Sequence, residues 1–203
     1  MKVAIFLNSG SKVDFFEGAD KVVCADGGMT VCPVTPHLLV GDFDSFSSTP
    51  DGVEIIRHNP KKNDTDGTLA VKSTIEKFGA DAIDFYGVFG GRQDHVLGNL
   101  TLLALADSLG AKARAVEKDF VVHFEKGVGC YNLPEGTTLS ILPYGGSATV
   151  TESVGLEYPL DNLTLTPIDT RGVSNVTCQK TVSFKVTQGA VLVFCHKSQQ
   201  KIK

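Results

Sequence analysis

Five aspartates follow short apolar runs in the first half of the sequence, and their spacing indicates shared chemistry. They are Asp26, Asp42, Asp44, Asp64 and Asp66. A single Asp-Gly or Asp-Ser of this kind is typical of a turn or a helix cap. Several such segments at successive strand ends indicate a site, and that many carboxylates near one another need a compensating cation. Oxygen ligands suit Mg²⁺, which usually also contacts substrate phosphates. The aspartates therefore predict a magnesium–polyphosphate site.

The segment GVFGGRQDH adds groups that a phosphate needs. Gly90 and Gly91 let backbone N–H groups approach a phosphate, and Arg92 offers a fork of donors. Asp94 and His95 open a predicted helix, whose N-terminus favours anions. A glycine turn with Asp94 as the helix N-cap is a compatible structural alternative. The sequence contains neither GxxxxGK[ST] nor GxGxxG, so any nucleotide must be held by these separate loops.

Six apolar runs in the first 120 or so residues must position these segments. They are VAIFL (3–7), KVVCA (21–25), HLLVG (37–41), VEIIRH (53–58), AIDFYG (82–87) and KARAV (112–116). Continuous hydrophobicity indicates strands buried on both faces, as in a parallel sheet covered by helices. Because the polar segments follow the second to fifth runs, they should meet at the carboxyl edge of that sheet, near a topological switch point.

Two segments between these runs have the apolar spacing of helices. In residues 66–78 the apolar positions are Val71, Ile75 and Phe78, and in residues 94–109 they are Leu97, Leu100 and Leu103. Each segment ends at a glycine. The alternation of strand and helix predicts an α/β first half.

The character of the sequence changes near residue 120. Short β-type runs follow, separated by Gly, Pro and Asn, and they predict an antiparallel sandwich or barrel. Val182, Phe184 and Val186 alternate with polar residues, and the QG at 188–189 predicts a hairpin to the next run.

Composition narrows the class of protein. The 203 residues can bury a real core, and the net charge of −4 comes from interspersed charges, which argues against a nucleic-acid partner. The five cysteines show no CxxC spacing and are interpreted as buried thiols in a reducing compartment. No run approaches the roughly 20 apolar residues of a membrane span. We expect a cytoplasmic protein with no membrane partner.

In order and spacing, these segments resemble the thiamine pyrophosphokinase family. The matching segments are DGG (26–28), VGDFDS (40–45), a D-x-T-D type loop (63–66), GGRxDHxxxN (90–99), LSILP (139–143), VGLEYPL (154–160), SN (174–175) and GAVL (189–192). The resemblance covers nearly the whole chain. It implies transfer of the pyrophosphoryl group of ATP to the hydroxyl of thiamine, which gives thiamine diphosphate and AMP.

The resemblance also implies a fold and an assembly. An α/β domain with a mainly parallel, Rossmann-like sheet, residues 1–120, would carry the nucleotide and the pyrophosphoryl transfer. An all-β sandwich, residues 121–203, would bind thiamine. The implied assembly is a homodimer whose sites are shared between chains, with ATP as co-substrate and Mg²⁺ as cofactor.

Individual roles follow from the same resemblance. Mg²⁺ would be held by Asp42, Asp44 and Asp66, which form the catalytic set together with Arg92. The nucleotide side would be lined by Asp26, Gly27, Asp64, Asp94, His95 and Asn99. Tyr158 would stack on the thiamine ring, and Ser174 and Asn175 would hydrogen-bond to its aminopyrimidine. Without the resemblance, Tyr158 would be an ordinary edge aromatic and the Ser-Asn pair an ordinary turn.

Three places depart from the family pattern. The segment after DGG (residues 29–36) is shorter than usual, and two single residues also differ. Asn63 stands where the loop usually begins with Asp, and Leu69 stands where a lysine is common. Two alternatives therefore stay open. One is a pyrophosphokinase acting on another alcohol, such as a pterin; the other is a non-catalytic protein that binds a nucleotide or a thiamine compound.

Overall fold

The structure is a computed structural model and describes residues 1–10, 12–42, 51–59 and 63–197. Asp44 lies outside the described residues. The chain divides into two compact units, Met1–Glu117 and Lys118–Lys203.

A parallel sheet of six described strands forms the centre of the first unit. The strands are β1 (Lys2–Phe6), β2 (Lys21–Ala25), β3 (Leu38–Gly41), β4 (Glu54–Arg57), β5 (Ala82–Tyr86) and β6 (Lys112–Val116). Their order is β6–β5–β1–β2–β3–β4, and each adjacent pair is parallel. The order reverses between β1 and β5, which creates a topological switch point at their carboxyl ends. The apolar runs predicted each strand to within one residue at either end.

Helix α1 (Asp66–Phe78) has the bounds that the sequence predicts. Its N-cap is Thr65, whose hydroxyl accepts a hydrogen bond from the Thr68 N–H at 3.2 Å, and such a cap satisfies one of the donors left open at a helix start. The helix ends at Gly79, whose φ of +60° lies in the left-handed region that glycine tolerates.

Helix α2 (Gln93–Ser108) begins one residue before the predicted segment. Leu100 and Leu103 are buried, as expected, but Leu97 is 69% exposed, so its assignment to the same face was wrong. The buried face centres on Leu102, Leu103 and Ala106, with Leu100 at its edge. Leu97 lies about one turn before Leu100 and falls outside the buried face.

The second unit consists of two antiparallel sheets. Its strands are β7 (Phe120–Glu125), β8 (Val128–Asn132), β9 (Thr138–Pro143), β10 (Ala148–Val154), β11 (Leu163–Leu165), β12 (Asn175–Val176), β13 (Thr181–Gln188) and β14 (Val191–His196). One sheet has the order β12–β9–β14–β7 and the other β11–β10–β13–β8. Side chains of both sheets share one core, including Ile141 and Val193 from the first and Val150 and Phe184 from the second. This arrangement is sandwich-like, as predicted.

The turn at residues 188–189 joins the two sheets of this unit, so the predicted hairpin is wrong. Val182, Phe184 and Val186 do point inward along β13. However, β13 pairs with β10 and β8, whereas β14 pairs with β7 and β9. Alternation in a sequence indicates which face is buried, but it does not indicate which sheet the next run joins.

The five cysteines are free thiols, and only part of the expectation about their burial holds. Cys24 and Cys195 are buried, Cys32 is half-buried, and Cys130 and Cys178 are exposed. Among the described residues, no helix has the length and apolarity needed to cross a bilayer.

Candidate active site

A cavity of about 640 Å³ lies at the carboxyl ends of β1, β2, β3 and β5, where the switch point is. Its walls come from the residues that follow these strands and from the first turns of α1 and α2. The cavity contains every described residue that the sequence assigned to magnesium or ATP: Asp26, Gly27, Asp42, Asp64, Asp66, Arg92, Asp94, His95 and Asn99. The parallel sheet thus brings together side chains that are up to 73 positions apart in the sequence.

The ends of β2 and β3 pack directly against each other, which places Asp26 beside the segment that bears Asp42. Asp26 begins a 3-10 turn (Asp26–Thr30) and has a φ of +41°. A Cβ added at Gly41 would lie only 3.0 Å from the Asp26 Cβ, so glycine permits this close approach. Asp42 follows at once. Two carboxylates from neighbouring strands therefore enter the cavity side by side.

The glycines of the DGG segment let this turn lie against β1. A Cβ at Gly27 would lie 2.3 Å from the Asn8 Nδ2, and one at Gly28 would lie 2.0 Å from the Phe6 carbonyl oxygen. The contact at Gly28 is with the backbone of β1, so that position accepts no side chain without a backbone shift, whereas a side chain at Gly27 would have to displace the Asn8 side chain. Close packing explains the two glycines of this motif independently of any ligand.

The beginning of α1 brings Asp64, Thr65 and Asp66 to the cavity. Asp66 is the first helical residue and Thr65 is the cap. Lys72 Nζ lies 2.6 Å from the Asp64 Oδ2. Lys72 stands about one turn after Leu69, so α1 supplies a lysine to this loop although Leu69 does not.

The beginning of α2 contributes Arg92, Asp94 and His95. Arg92 is the N-cap residue, so the alternative that Asp94 caps the helix is wrong. The guanidinium instead bonds to the Asp94 carboxylate at two points, which lowers the pKa of Asp94 and raises that of Arg92. Asn99 donates from Nδ2 to the Val88 carbonyl at 3.1 Å and so ties α2 to the loop after β5.

The electrostatics of the cavity favour a cation accompanied by an anion. Its described walls carry five carboxylates, those of Asp26, Asp42, Asp64, Asp66 and Asp94, and one guanidinium. An oxygen-rich, sulfur-free donor set of this kind fits Mg²⁺. Within the described residues, no group of three or more His, Cys, Asp or Glu side chains is arranged to hold a metal; of the predicted magnesium set, Asp42 and Asp66 are described.

The sequence interpretation missed several residues of the cavity wall, including Asn8, Thr65, Gly67 and Gly98. Asn8 follows β1, and its Oδ1 accepts a hydrogen bond from the Gly10 N–H at 3.1 Å. The polar segment NSG after the first apolar run follows the same pattern as the other strand ends and would have indicated it. Thr65 before a helical period is likewise a standard N-cap signature.

The three residues assigned to thiamine lie in the second unit, and the structure joins two of them directly. The buried Asn175 amide accepts from the Tyr158 N–H at 3.1 Å and donates to the Tyr158 carbonyl at 2.7 Å. Ser174 is exposed, has a φ of +57°, and donates its N–H to the Ser140 Oγ at 3.0 Å. Tyr158 as a whole residue is left 61% exposed.

Comparison with known proteins decides the family. The thiamin pyrophosphokinase catalytic domain matches residues 13–114, and the thiamin pyrophosphokinase vitamin B1 binding domain matches residues 119–191. The chain belongs to the thiamine pyrophosphokinase family. Family membership carries the family's activity, the ATP-dependent transfer of pyrophosphate to thiamine, so the chain is an enzyme of the transferase class.

Individual relatives agree with this family. The thiamine pyrophosphokinase of Bacillus subtilis (strain 168) is 27% identical over 186 residues, which cover 87% of this chain and 84% of that protein. Thiamin pyrophosphokinase 1 of Caenorhabditis elegans is 28% identical over 140 residues, which cover 64% of this chain and 58% of that protein.

Solved structures of family members share the fold. The crystal structure of thiamine pyrophosphokinase from Bacillus subtilis has a TM-score of 0.83 at 21% identity and covers 98% of this chain and 100% of that one. The thiamin pyrophosphokinase from Geobacillus thermodenitrificans has a TM-score of 0.81 at 24% identity, with 98% and 99% covered. Both matches extend over the two units of the chain.

Proposed function

We propose that the cavity of the first unit binds ATP together with Mg²⁺ and is where the pyrophosphoryl group is transferred to thiamine. The observation that carries this proposal is the convergence of all described nucleotide and magnesium candidates on one cavity at the switch point. Open parallel sheets bind ligands at this position. The strand order also supports a Rossmann-like nucleotide domain over residues 1–120, followed by a thiamine-binding domain over residues 121–203.

The reaction requires alignment and charge neutralisation more than covalent participation of the protein. The hydroxyl oxygen of thiamine attacks Pβ of ATP, the bond from Pβ to the oxygen shared with Pα breaks, and AMP leaves. The hydroxyl proton passes to a carboxylate of the cavity. When bound, Mg²⁺ would neutralise charge on the phosphate oxygens, and Asp42, Asp44 and Asp66 would hold it.

Arg92 and the N-termini of α1 and α2 would supply the positive charge that faces the phosphates. The residues at the beginnings of α1 and α2 line the cavity, and helix N-termini favour anions there. Arg92 is bonded to Asp94, so we propose that it exchanges this partner for phosphate oxygens when ATP binds. The fork geometry of the guanidinium suits either partner.

We assign thiamine to the second unit. The exposed ring of Tyr158 would stack on thiamine, and Ser174 would contribute polar recognition of the aminopyrimidine, a role that the resemblance to the family also implied for Asn175. A homodimer with shared sites and a cytoplasmic location complete the proposal, and the free thiols are consistent with that location.

One assay separates this function from its alternatives. The protein is incubated with ATP, Mg²⁺ and either thiamine or a pterin alcohol, and the nucleotide products are resolved. AMP and thiamine diphosphate formed with thiamine alone support the proposal, whereas AMP formed only with the pterin alcohol identifies the other acceptor. ADP would indicate an ordinary kinase, and nucleotide binding without turnover would indicate a binding protein.

Subunit mixing tests the shared sites. Asp42→Asn and Tyr158→Ala variants are each assayed alone and after mixed refolding, at a thiamine concentration well below the wild-type KM, where the raised KM of Tyr158→Ala suppresses its turnover. If each site takes residues from two chains, a mixed dimer contains one intact site, and activity should return to about a quarter of the wild-type value. Absence of recovery, with mixed dimers verified by differential tags, would place each complete site within one chain.

A further inference from the structure

We propose that Asn175 is a positioning residue that fixes the backbone of Tyr158, so that its contribution to thiamine binding passes through the tyrosine ring. This inference rests on the proposed role of Tyr158 in binding thiamine. It assigns Asn175 a task that differs from direct hydrogen bonding to the substrate.

The Asn175 amide forms its hydrogen bonds with backbone groups. Its Oδ1 accepts from the Tyr158 N–H at 3.1 Å and from the Val176 N–H at 2.9 Å, and its Nδ2 donates to the Tyr158 carbonyl at 2.7 Å. An amide oxygen has two lone pairs, and both are therefore used. One N–H bond remains, on a residue that is only 2% exposed. The amide is directed at the backbone of its own unit.

The local pairing explains why a side chain is needed at this point. Leu156 and Thr177 form an antiparallel bridge, and the Glu157 N–H donates to the Val176 carbonyl at 2.9 Å. One residue further, at Tyr158, the Asn175 amide takes both the N–H and the carbonyl, as a neighbouring strand would. It therefore extends the pairing by one residue beyond the backbone bridge.

The residues after Tyr158 hold the segment from the other side. Pro159 has a fixed φ and restricts the conformation of Tyr158 itself. Leu160 is 3% exposed, and its N–H donates to the Ser153 Oγ at 2.8 Å. The backbone on both sides of the ring is thus anchored, while Tyr158 as a whole residue is 61% exposed. A stacking platform needs this combination, because a ring that is ordered beforehand loses less entropy on binding.

A double-mutant cycle tests the inference. Asn175→Ala and Tyr158→Ala are measured singly and together for the KM of thiamine, the KM of ATP and kcat. Each single change should raise the KM of thiamine on the order of tenfold, with a smaller effect on the KM of ATP. If Asn175 acts through Tyr158, the double variant should match Tyr158→Ala alone. If the double variant instead raises the KM of thiamine by the product of the two single effects, the two residues contribute independently, and the proposal is overturned.

A spectroscopic measurement tests the same inference without substrate. The chain contains no tryptophan, so Tyr158→Trp introduces a single reporter at this position. Adding Asn175→Ala to that variant should lower the fluorescence anisotropy of the reporter and increase its quenching by acrylamide. Unchanged anisotropy and quenching would show that the amide does not order the segment, and would overturn the proposal.

Thr177→Val is the matched control for general destabilisation. Thr177 is also 2% exposed, but its hydroxyl donates to the Pro134 carbonyl at 2.6 Å and accepts from the Thr137 N–H at 2.9 Å. Loss of the Thr177 hydroxyl should lower the thermal stability of the unit. The fluorescence anisotropy and acrylamide quenching of the reporter at position 158 should stay unchanged. A reporter response equal to that of Asn175→Ala would reduce the effect to destabilisation and overturn the proposal.

The cycle also separates this inference from the proposed function. If Tyr158→Ala leaves the KM of thiamine unchanged, the proposed stacking role of Tyr158 fails. The anisotropy comparison then decides by itself whether Asn175 holds the segment.

Discussion

Arg92 and Asp94 form a two-point ion pair at the start of α2, with 3.1 Å from Nε to Oδ1 and 2.5 Å from Nη2 to Oδ2. Both side chains line the cavity. Replacing Arg92 with Lys keeps the charge but removes the fork, so we expect kcat to fall about a hundredfold in the AMP-forming assay. Arg171→Lys is the control, because Arg171 also pairs with an aspartate two residues away, Asp169, outside the cavity. Equal effects of the two changes would contradict a phosphate role for Arg92.

Asp42 and Asp66 should be indispensable for turnover but not for folding. Changing either to Asn removes a negative oxygen ligand, and we expect at least about a hundredfold loss of kcat with an unchanged circular dichroism spectrum. Removal of Mg²⁺ by EDTA should abolish activity in the wild type, and excess Mg²⁺ should restore it. Asp81→Asn changes an exposed carboxylate paired with the N-terminus and should retain wild-type turnover. Wild-type kcat in Asp42→Asn would remove that residue from the metal site.

The DGG turn should fail sterically when Gly28 gains a methyl group. The added Cβ would lie 2.0 Å from the Phe6 carbonyl oxygen, and relieving this contact should cost about 2 to 3 kcal/mol of unfolding free energy, measured in urea. Gly98→Ala is the matched change, since its Cβ meets nothing within 4 Å inside α2. That variant should gain about 0.5 to 1 kcal/mol from helix propensity. A stable Gly28→Ala variant would show that the turn can move away from β1.

An ion cluster around the buried Asp84 makes the stability of the first unit depend on pH in the acid range. Asp84 is 3% exposed and accepts hydrogen bonds from Arg114 at 2.7 and 2.9 Å, and Lys2 Nζ lies 2.8 Å from its Oδ2. Burial alone would raise the pKa of Asp84, but the bonds from Arg114 and Lys2 outweigh it and hold the pKa below its ordinary value. The stabilisation is therefore complete above about pH 4 and is lost as the pH falls through the lowered value.

Asp84→Asn tests this pH dependence. At pH 7 the variant should lose about 2 kcal/mol of unfolding free energy, because the half-buried Lys2 and Arg114 lose the buried carboxylate charge that they bond to. The difference from wild type should be the same at pH 7 and pH 5 and should shrink below pH 4, as followed by urea denaturation. A difference that is independent of pH throughout would indicate that packing, and not charge, is responsible.

The sequence predicts the first unit better than the second. Local apolar runs determine the strands of the first unit, whereas the second unit depends on pairing between segments that are distant in the sequence. Continuous apolar runs located β1 to β6, and parallel pairing then forces their polar ends to one edge, which is why the aspartates converge. Which sheet β13 and β14 each join depends on pairing partners that are distant in the sequence. No local pattern encodes those partners. The exposure of Leu97 depends in the same way on where the core face of α2 lies. The burial of Asn175 depends on its contact with Tyr158, 17 positions away.

The position of β14 has a consequence for the order in which the protein can fold. This strand lies between β7 and β9 and is encoded after both of them. On an emerging polypeptide, the first unit has all of its strands when residue 117 is available. One sheet of the second unit lacks its inner strand until residues 191–196 leave the ribosome, so two of its strands present open edges during synthesis. Completion of this sheet is therefore a late event that waits for β14.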